Sequence, residues 1–413
     1  MASIEPTGPP WGALTAAGTP NYPTPAPMNS LSVSALVLAA AMSAHAQRNV
    51  LVNSHSSAVP GKGKPAAECC DSACAKDCTK PCCAAKRTAK ATFPAFGSVE
   101  RLAPELDALL APNAQMEKLA DGFDWSEGPV WLRKEQAVVF SDVPRNKVHR
   151  WSERDGLSVY LEPSGYTGHS RNDRELGSNG LATDRAGNLL LCQHGNRQIA
   201  KLVRRDGTKG VFEPVVPHFN HRRFNSPNDL VLTRKGDIYF TDPPYGLNGL
   251  NGSPLKELLF NGVYLARKSG EVVLLTSEMT FPNGIALSPD EKTLYVAQSD
   301  GNAPILRAFD VQADGTVKNG RLFFDCKPLA QKGLKGGPDG LKVDQGGNIW
   351  TSGPGGILVI SPAGKHLGSL LTGENTANCA FGDDGRTLYI TADMYLLRIR
   401  TLARGIGFEA PPY

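Results

Sequence analysis

Phe281-Pro282-Asn283-Gly284-Ile285-Ala286-Leu287 sets out a pattern that the chain repeats: a small or turn residue, a polar residue, usually Gly, then alternating apolar positions. Five further copies read Ser126-Glu127-Gly-Pro-Val-Trp131, Ser178-Asn179-Gly-Leu-Ala-Thr183, Pro227-Asn228-Asp-Leu-Val-Leu232, Pro338-Asp339-Gly-Leu-Lys-Val343 and Ala377-Asn378-Cys-Ala-Phe-Gly382. The polar heads are spaced by 52, 49, 55, 56 and 39 residues. Each copy then turns through a Gly- or Asp-rich segment, such as Asp184–Gly187, Arg234–Gly236 or Asp383–Gly385, which is hairpin chemistry. A second strand is expected to end at Phe140, Leu191, Phe240, Val296, Trp350 and Ile390, 13, 12, 12, 13, 11 and 12 residues after its own head. So constant a register across six copies marks structural repeats.

Further strand-like runs follow each hairpin at 147–151, 198–202, 262–266, 305–309, 357–360 and 396–399, giving three or four strands per repeat. Units of about 40–50 residues with four strands are propeller blades. The expected fold is therefore all-β, a six-bladed β-propeller. The short last interval, with a strand-like run at 115–119, predicts that an early strand is lent to the final blade. Residues 98–110 read as a short amphipathic helix limited by Pro104.

Composition agrees with this reading. The 413 residues include 43 Gly and 31 Pro, a turn-rich excess over usual usage. Length alone admits two or three domains, or one large β domain with a tail. Residues 1–96 hold eight Lys/Arg and four Asp/Glu, so of the net charge of +4 nothing remains for 97–413. A neutral body lacks the basic footprint of a nucleic-acid binder. No apolar run reaches the ~18–20 residues of a membrane span.

Residues 1–46 are expected to be a leader and signal peptide. Translation starts at Met1 or at Met28, after which residues 31–41 have the length of an apolar signal core and Ala44-His45-Ala46 would release Gln47. The n-region carries no Lys or Arg, and an Ala-rich leader is the alternative. The signal reading predicts a periplasmic or secreted protein. Residues 47–96 form a Cys-rich, low-complexity tail, expected to be disordered, with Cys69, Cys70, Cys74, Cys78, Cys82 and Cys83. It reads as a disulfide knot or a thiolate cluster for a soft metal. Cys192, Cys326 and Cys379 lie in apolar surroundings and are expected to be plain buried thiols. Residues 97–413 are left for the propeller.

Blade first strands usually line a propeller's channel, so the six heads should converge at one mouth: Glu127, Asn179, Asn228, Asn283, Asp339 and Asn378. Each alone would read as a turn residue. Together they form an oxygen-only ring carrying a charge of −2, which suits one hard divalent ion, Ca2+ before Mg2+, Mn2+ or Zn2+.

These heads sit in longer motifs: Ser126–Trp131, Arg223-Phe-Asn-Ser-Pro-Asn-Asp229, Tyr239-Phe-Thr-Asp-Pro-Pro-Tyr-Gly246, Phe281–Ala286, Pro338–Leu341 and Cys192-Gln-His-Gly-Asn-Arg197. Over about residues 98–400 the chain resembles the regucalcin (senescence marker protein)/gluconolactonase/luciferin-regenerating family, the bacterial gluconolactonase branch in particular. The resemblance implies one divalent metal in the channel of a six-bladed propeller. By motif it carries the ligand role to Glu127, Asn228, Asn283 and Asp339, and leaves Asn179 and Asn378 as pocket residues.

His194 and Arg197 are expected either to bind substrate or to cap a loop, and Tyr245 either to wall the pocket or to anchor packing. His218-x-x-His221 lacks a third ligand. No G-x-S-x-G, H-E-x-x-H, Walker loop or G-x-G-x-x-G occurs. Two classes of function remain. One is metal-dependent hydrolysis of a sugar lactone such as glucono-1,5-lactone, with Asp339 as general base and Asp229 and His194 as rivals for that role. The other is a non-catalytic, calcium-stabilised propeller that binds a partner.

Overall fold

The computed structural model describes residues 92–168 and 174–408, so the signal segment and the cysteine cluster lie outside the described residues. Six antiparallel sheets follow one another along the chain. Blade 1 comprises Ser126–Leu132, Ala137–Asp142, Lys147–Ser152 and Gly156–Leu161; blade 2 runs from Ser178–Thr183 to Lys209–Val216. Blade 3 runs from Leu230–Leu232 to Val272–Thr276, and blade 4 from Pro282–Leu287 to Val317–Asp325. Blade 5 begins at Leu341–Val343 and blade 6 at Thr376–Gly382. Every run expected as a third strand falls within one.

Period-2 alternation explains the core, because each blade is buried on both faces. In Ala137–Asp142, Val139 packs with Leu181 and Leu191 of blade 2, while Val138 and Phe140 face Tyr389 and Leu396 of blade 6. In Ile238–Asp242, Phe240 packs with Cys192 and Ile199, and Tyr239 turns to Ile285 and Val296 of blade 4. Two further clusters lie between blades 4 and 5 and between blades 5 and 6. The core is thus six interfaces rather than one centre.

The ring closes through the amino-terminal side of the fold. Met116–Asp121 pairs antiparallel with Tyr395–Arg400, with Met116 opposite Ile399 and Asp121 opposite Tyr395. This is the expected strand loan, with Ala95–Phe96 added outside it.

Two expectations need correction. The segment read as a helix over 98–110 is instead a strand, Ser98–Arg101, followed by a 3-10 turn at Pro104–Ala108. Ser98–Arg101 becomes the fifth strand of blade 5 by pairing with His366–Leu371, a distant contact that overrides a weak local helical pattern. The second strands also run two or three residues past their expected ends, to Asp142, Gln193, Asp242, Gln298, Gly353 and Ala392. Their ladders continue against the third strands, as in Asp142 opposite Lys147 and Asp242 opposite Gly262.

Candidate functional site

Four first strands carry an irregularity at the head: the pairing register shifts between Glu127 and Val130, Ser178 and Leu181, Pro282 and Ile285, and Thr376 and Asn378. A bulge bends its strand and re-aims a side chain. Asn228 and Asp339 instead precede their short first strands, which begin at Leu230 and Leu341. All of Glu127, Asn179, Asn228, Asn283 and Asn378 are buried.

The Gly after a head is needed for close approach between neighbouring blades. A Cβ on Gly180 would stand 2.5 Å from the Asn228 carbonyl oxygen, and one on Gly284 2.1 Å from that of Asp339. The backbone exploits this space, since Gly180 N–H donates to Asn228 O at 2.7 Å and Gly284 N–H to Asp339 O at 3.1 Å. The heads are therefore linked from blade to blade.

Hydrogen bonding divides the amides. Asn378 is fully engaged: its Nδ2 donates to Glu127 Oε2 at 3.2 Å, while its Oδ1 accepts from Lys342 Nζ at 3.2 Å and from Cys379 N at 2.9 Å. Asn283 Nδ2 donates to Ser299 Oγ at 2.8 Å, and Ser299 Oγ donates to Pro338 O at 2.6 Å. That amide is held with its oxygen free. Asn179 Oδ1, Asn228 Oδ1, Asn283 Oδ1 and Asp229 Oδ2 are buried acceptors with no hydrogen-bond partner. Leaving such groups unpaired is costly. A cation answers several at once.

The carboxylates express the same deficit. Burial raises the proton affinity of Glu127, and the charge of Asp229 raises it further. Asp339 is raised well above the usual carboxylate range by burial, then by Glu127, Asp229 and Glu175. Lys342 partly offsets this crowding, with Nζ 3.9 Å from Asp229 Oδ2. Among the described residues no three His, Cys, Asp or Glu side chains form a metal cluster by themselves. A cation here would need the amide oxygens as well, and the oxygen-only donor set fits a hard divalent ion.

The remaining expected residues separate. Tyr245 stacks on Phe281 with ring centroids 5.7 Å apart, and its hydroxyl lies beside Ser299 and Asn283. It stands at the ring. His194 is fully buried, with Nδ1 3.6 Å from Glu175 Oε2 and no hydrogen bond at either ring nitrogen. Burial lowers its pKa to about 3 and keeps it neutral. Arg197 donates from Nε to Phe224 O at 2.5 Å and faces Glu257 at 3.4 Å. The rings of His218 and His221 lie 5.9 Å apart beside the Phe219–Arg222 bridge, and both residues are exposed.

Sequence reasoning missed Lys342 and Glu175. Lys342 had a signal, because it occupies a slot that is Val130, Ala182, Val231 and Ala286 in four other copies. Glu175 had none. A cavity of about 1360 Å³ elsewhere is lined by the hairpin turns and by Lys342, but by none of the six heads. Cys192, Cys326 and Cys379 are free and buried, as expected. Burial pushes the Cys379 thiol up to about 12 and raises Cys192 as well. No helix among the described residues is long and apolar enough to cross a membrane.

Comparison with known proteins agrees with the motifs. Residues 125–393 match the family described as the SMP-30/Gluconolactonase/LRE-like region. A gluconolactonase of Zymomonas mobilis is 38% identical over 315 residues, which span 75% of this chain and 88% of that one. A 6-deoxy-6-sulfogluconolactonase of Pseudomonas putida is 28% identical over 64% of this chain and 82% of its own length. The solved structure of a gluconolactonase from Xanthomonas campestris superposes with a TM-score of 0.64 at 31% identity, covering 75% of this chain and 98% of that one. By the family match over residues 125–393 and the 38% identity to a gluconolactonase across most of both chains, the chain belongs to the SMP-30/gluconolactonase/LRE-like family.

Proposed function

We propose that the protein hydrolyses a sugar lactone, of the glucono-1,5-lactone kind, to the corresponding aldonic acid. The observation that carries this reading is the set of buried acceptor oxygens without hydrogen-bond partners on Asn179, Asn228, Asn283 and Asp229, grouped with the carboxylates of Glu127 and Asp339. Kinship with enzymes named gluconolactonases supplies the substrate class. One divalent cation, Ca2+ in the first instance, would be held by Glu127, Asn228, Asn283 and Asp339. When bound, such an ion polarises a carbonyl and stabilises developing negative charge, a contribution of several kcal/mol.

The chain's own groups do the rest. Asp339 is the general base, accepting the proton of the attacking water. Its backbone N–H is fixed by Ser352 Oγ at 2.8 Å, and the Asn283 amide lies beside its carboxylate. Asp229, buried at the ring where Asp339 is half-buried, is its rival. The Tyr245–Phe281 stack forms one wall against which the lactone ring can rest, and the Tyr245 hydroxyl can meet a ring or leaving oxygen. Attack by water is the economical route here, because the buried Cys192 and Cys379 are held as thiols and a thiol is a poor nucleophile.

Acid release in a pH-stat, from glucono-1,5-lactone, other sugar lactones and simple γ-lactones, tests the reading with and without chelator. Opening of a sugar lactone that chelator abolishes and Ca2+, Mg2+, Mn2+ or Zn2+ restores is expected. If no lactone opens faster than background with any of these ions, the hydrolase reading fails in favour of a binding propeller.

A further inference from the structure

We propose that Glu175, with His194 beneath it, recognises hydroxyl groups of the substrate and makes the site selective for polyhydroxylated lactones over unsubstituted ones. The inference rests on the lactone-hydrolase reading and names the part of the site that reads the sugar.

Glu175 lies just before blade 2, in a short segment pinned at several points. Arg174 N–H donates to Gly246 O at 3.2 Å, Gly177 N–H donates to Val143 O at 2.9 Å, and His194 N–H donates to Gly177 O at 3.1 Å. Gly246 follows Tyr245, whose hydroxyl lies beside Asn283 of the head ring. A Cβ on Gly246 would lie 2.9 Å from the His194 Cβ and 2.8 Å from the Ser226 Cβ, two residues before Asn228. Glu175, His194, Tyr245 and the heads therefore belong to one neighbourhood, fixed by backbone contacts on three sides. The charge of Glu175 is felt at both Asp339 and Tyr245.

The two side chains are short of partners. The Glu175 carboxylate is only 19% exposed and accepts no hydrogen bond from any described residue; the Arg174 guanidinium is 3.8 Å away at Nε, and the neutral His194 ring is 3.6 Å away at Nδ1. His194 is wholly buried with both ring nitrogens unsatisfied. A carboxylate accepts only, and a neutral imidazole offers one donor and one acceptor. Hydroxyl groups, each both donor and acceptor, complement such a pair. An anionic or purely aliphatic ligand would leave it worse off. A positioning role for Glu175 toward the cation alone would leave the unsatisfied imidazole beneath it unexplained.

The test uses Glu175→Gln in the full chain against two substrates and one inert ligand. Glucono-1,5-lactone carries hydroxyls, δ-valerolactone carries none, and D-glucono-1,5-lactam is a polyhydroxylated ring that resists hydrolysis. Loss of hydrogen bonds to a charged acceptor should raise KM for glucono-1,5-lactone and weaken lactam binding by about 10- to 100-fold. Because the Glu175 charge also reaches Asp339, turnover of δ-valerolactone and metal affinity by calorimetry will shift too, but by at least about fivefold less than the loss on glucono-1,5-lactone, and Glu175→Asp should recover part of the lactam affinity. An equal loss on both lactones, or a fall in metal affinity matching that of Asp339→Asn, would overturn the proposal. If the wild type opens no lactone, the hydrolase reading fails, and lactam titration then decides alone. Unchanged lactam affinity in Glu175→Gln would end the proposal too.

Discussion

Gly284→Ala should damage the site without removing any candidate ligand. The added methyl would stand 2.1 Å from the Asp339 carbonyl oxygen and 2.7 Å from the Gly340 Cα, where ordinary Cβ contacts begin at 3.4 Å. Both opposing atoms are backbone, so blades 4 and 5 must separate by more than an ångström at the head. The hydrogen bond from Gly284 N–H to Asp339 O, 3.1 Å long, is then lost or stretched. Overpacking of this kind costs about 1–3 kcal/mol of stability. The larger effect falls on chemistry, because a displacement of about 1 Å at a catalytic group can cost on the order of 10²-fold in rate. The assay pairs thermal unfolding with lactone turnover at saturating metal. Gly301→Ala is the control, since nothing lies within 4 Å of a Cβ there. A Gly284→Ala protein with wild-type kcat/KM and metal affinity would refute the view that close blade contact sets the position of Asp339.

Other outcomes follow from the same geometry. Glu127→Gln and Asp339→Asn should each weaken cation binding by at least about tenfold in calorimetric titration, each removing a carboxylate charge from the chamber, and Asn378→Ala, whose amide oxygen is already engaged by Lys342, should matter much less. Equal losses at all three positions would invalidate the ligand set. Asp339→Asn should also lose turnover at metal concentrations that restore occupancy. His194, neutral in the fold with a pKa near 3 against 6.5 for the free side chain, stays unprotonated in the native state while the unfolded chain takes up a proton. Its contribution should therefore lower stability by about 1.4 kcal/mol per pH unit as pH falls from 6.5 toward 3, with no slope above 6.5. Urea unfolding across that range should show a flatter acid limb for His194→Asn. Protein recovered from its native host should begin at Gln47, read by intact mass, whereas residues 1–46 retained in the cytosol would sink the expectation of export.

The sequence made the blades legible because every repeat reproduces the same local chemistry: a polar head, a Gly where backbones meet, and an alternating strand buried on both faces. It was silent wherever the deciding partner is remote. Ser98–Arg101 carries too few residues to declare itself a strand, and its identity comes from Leu371 and Gly368 nearly the whole fold away. The same holds at the site. Glu127, Asn228, Asn283 and Asp339 could be found by their position in a repeat, but the distinction between Asn378 and the other amides depends on Lys342, which only the fold brings to its carbonyl. Arg197 looked equally suited to a ligand or a loop, and its bond to the Phe224 carbonyl, a contact only the fold provides, was not legible in the sequence. Glu175 precedes a blade rather than heading one, so no repeat register could point to it.

The strand loan that closes the ring also constrains how the protein reaches its fold. Met116 meets Ile399, so the last blade cannot be completed until almost the whole chain is available. Joining segments some 280 residues apart costs about 5 kcal/mol of chain entropy on the logarithmic scale of loop closure. Contacts within blades 1–4 are local by comparison and can form earlier, leaving closure as a late step and a slow one. During that interval both the strand at Met116–Asp121 and the outer edge of Tyr395–Arg400 stand open, each a template for pairing with another molecule. Yield on refolding should therefore fall with protein concentration even though the finished ring hides those edges. Native-state hydrogen exchange should find the seam between these two strands among the first places where the ring opens.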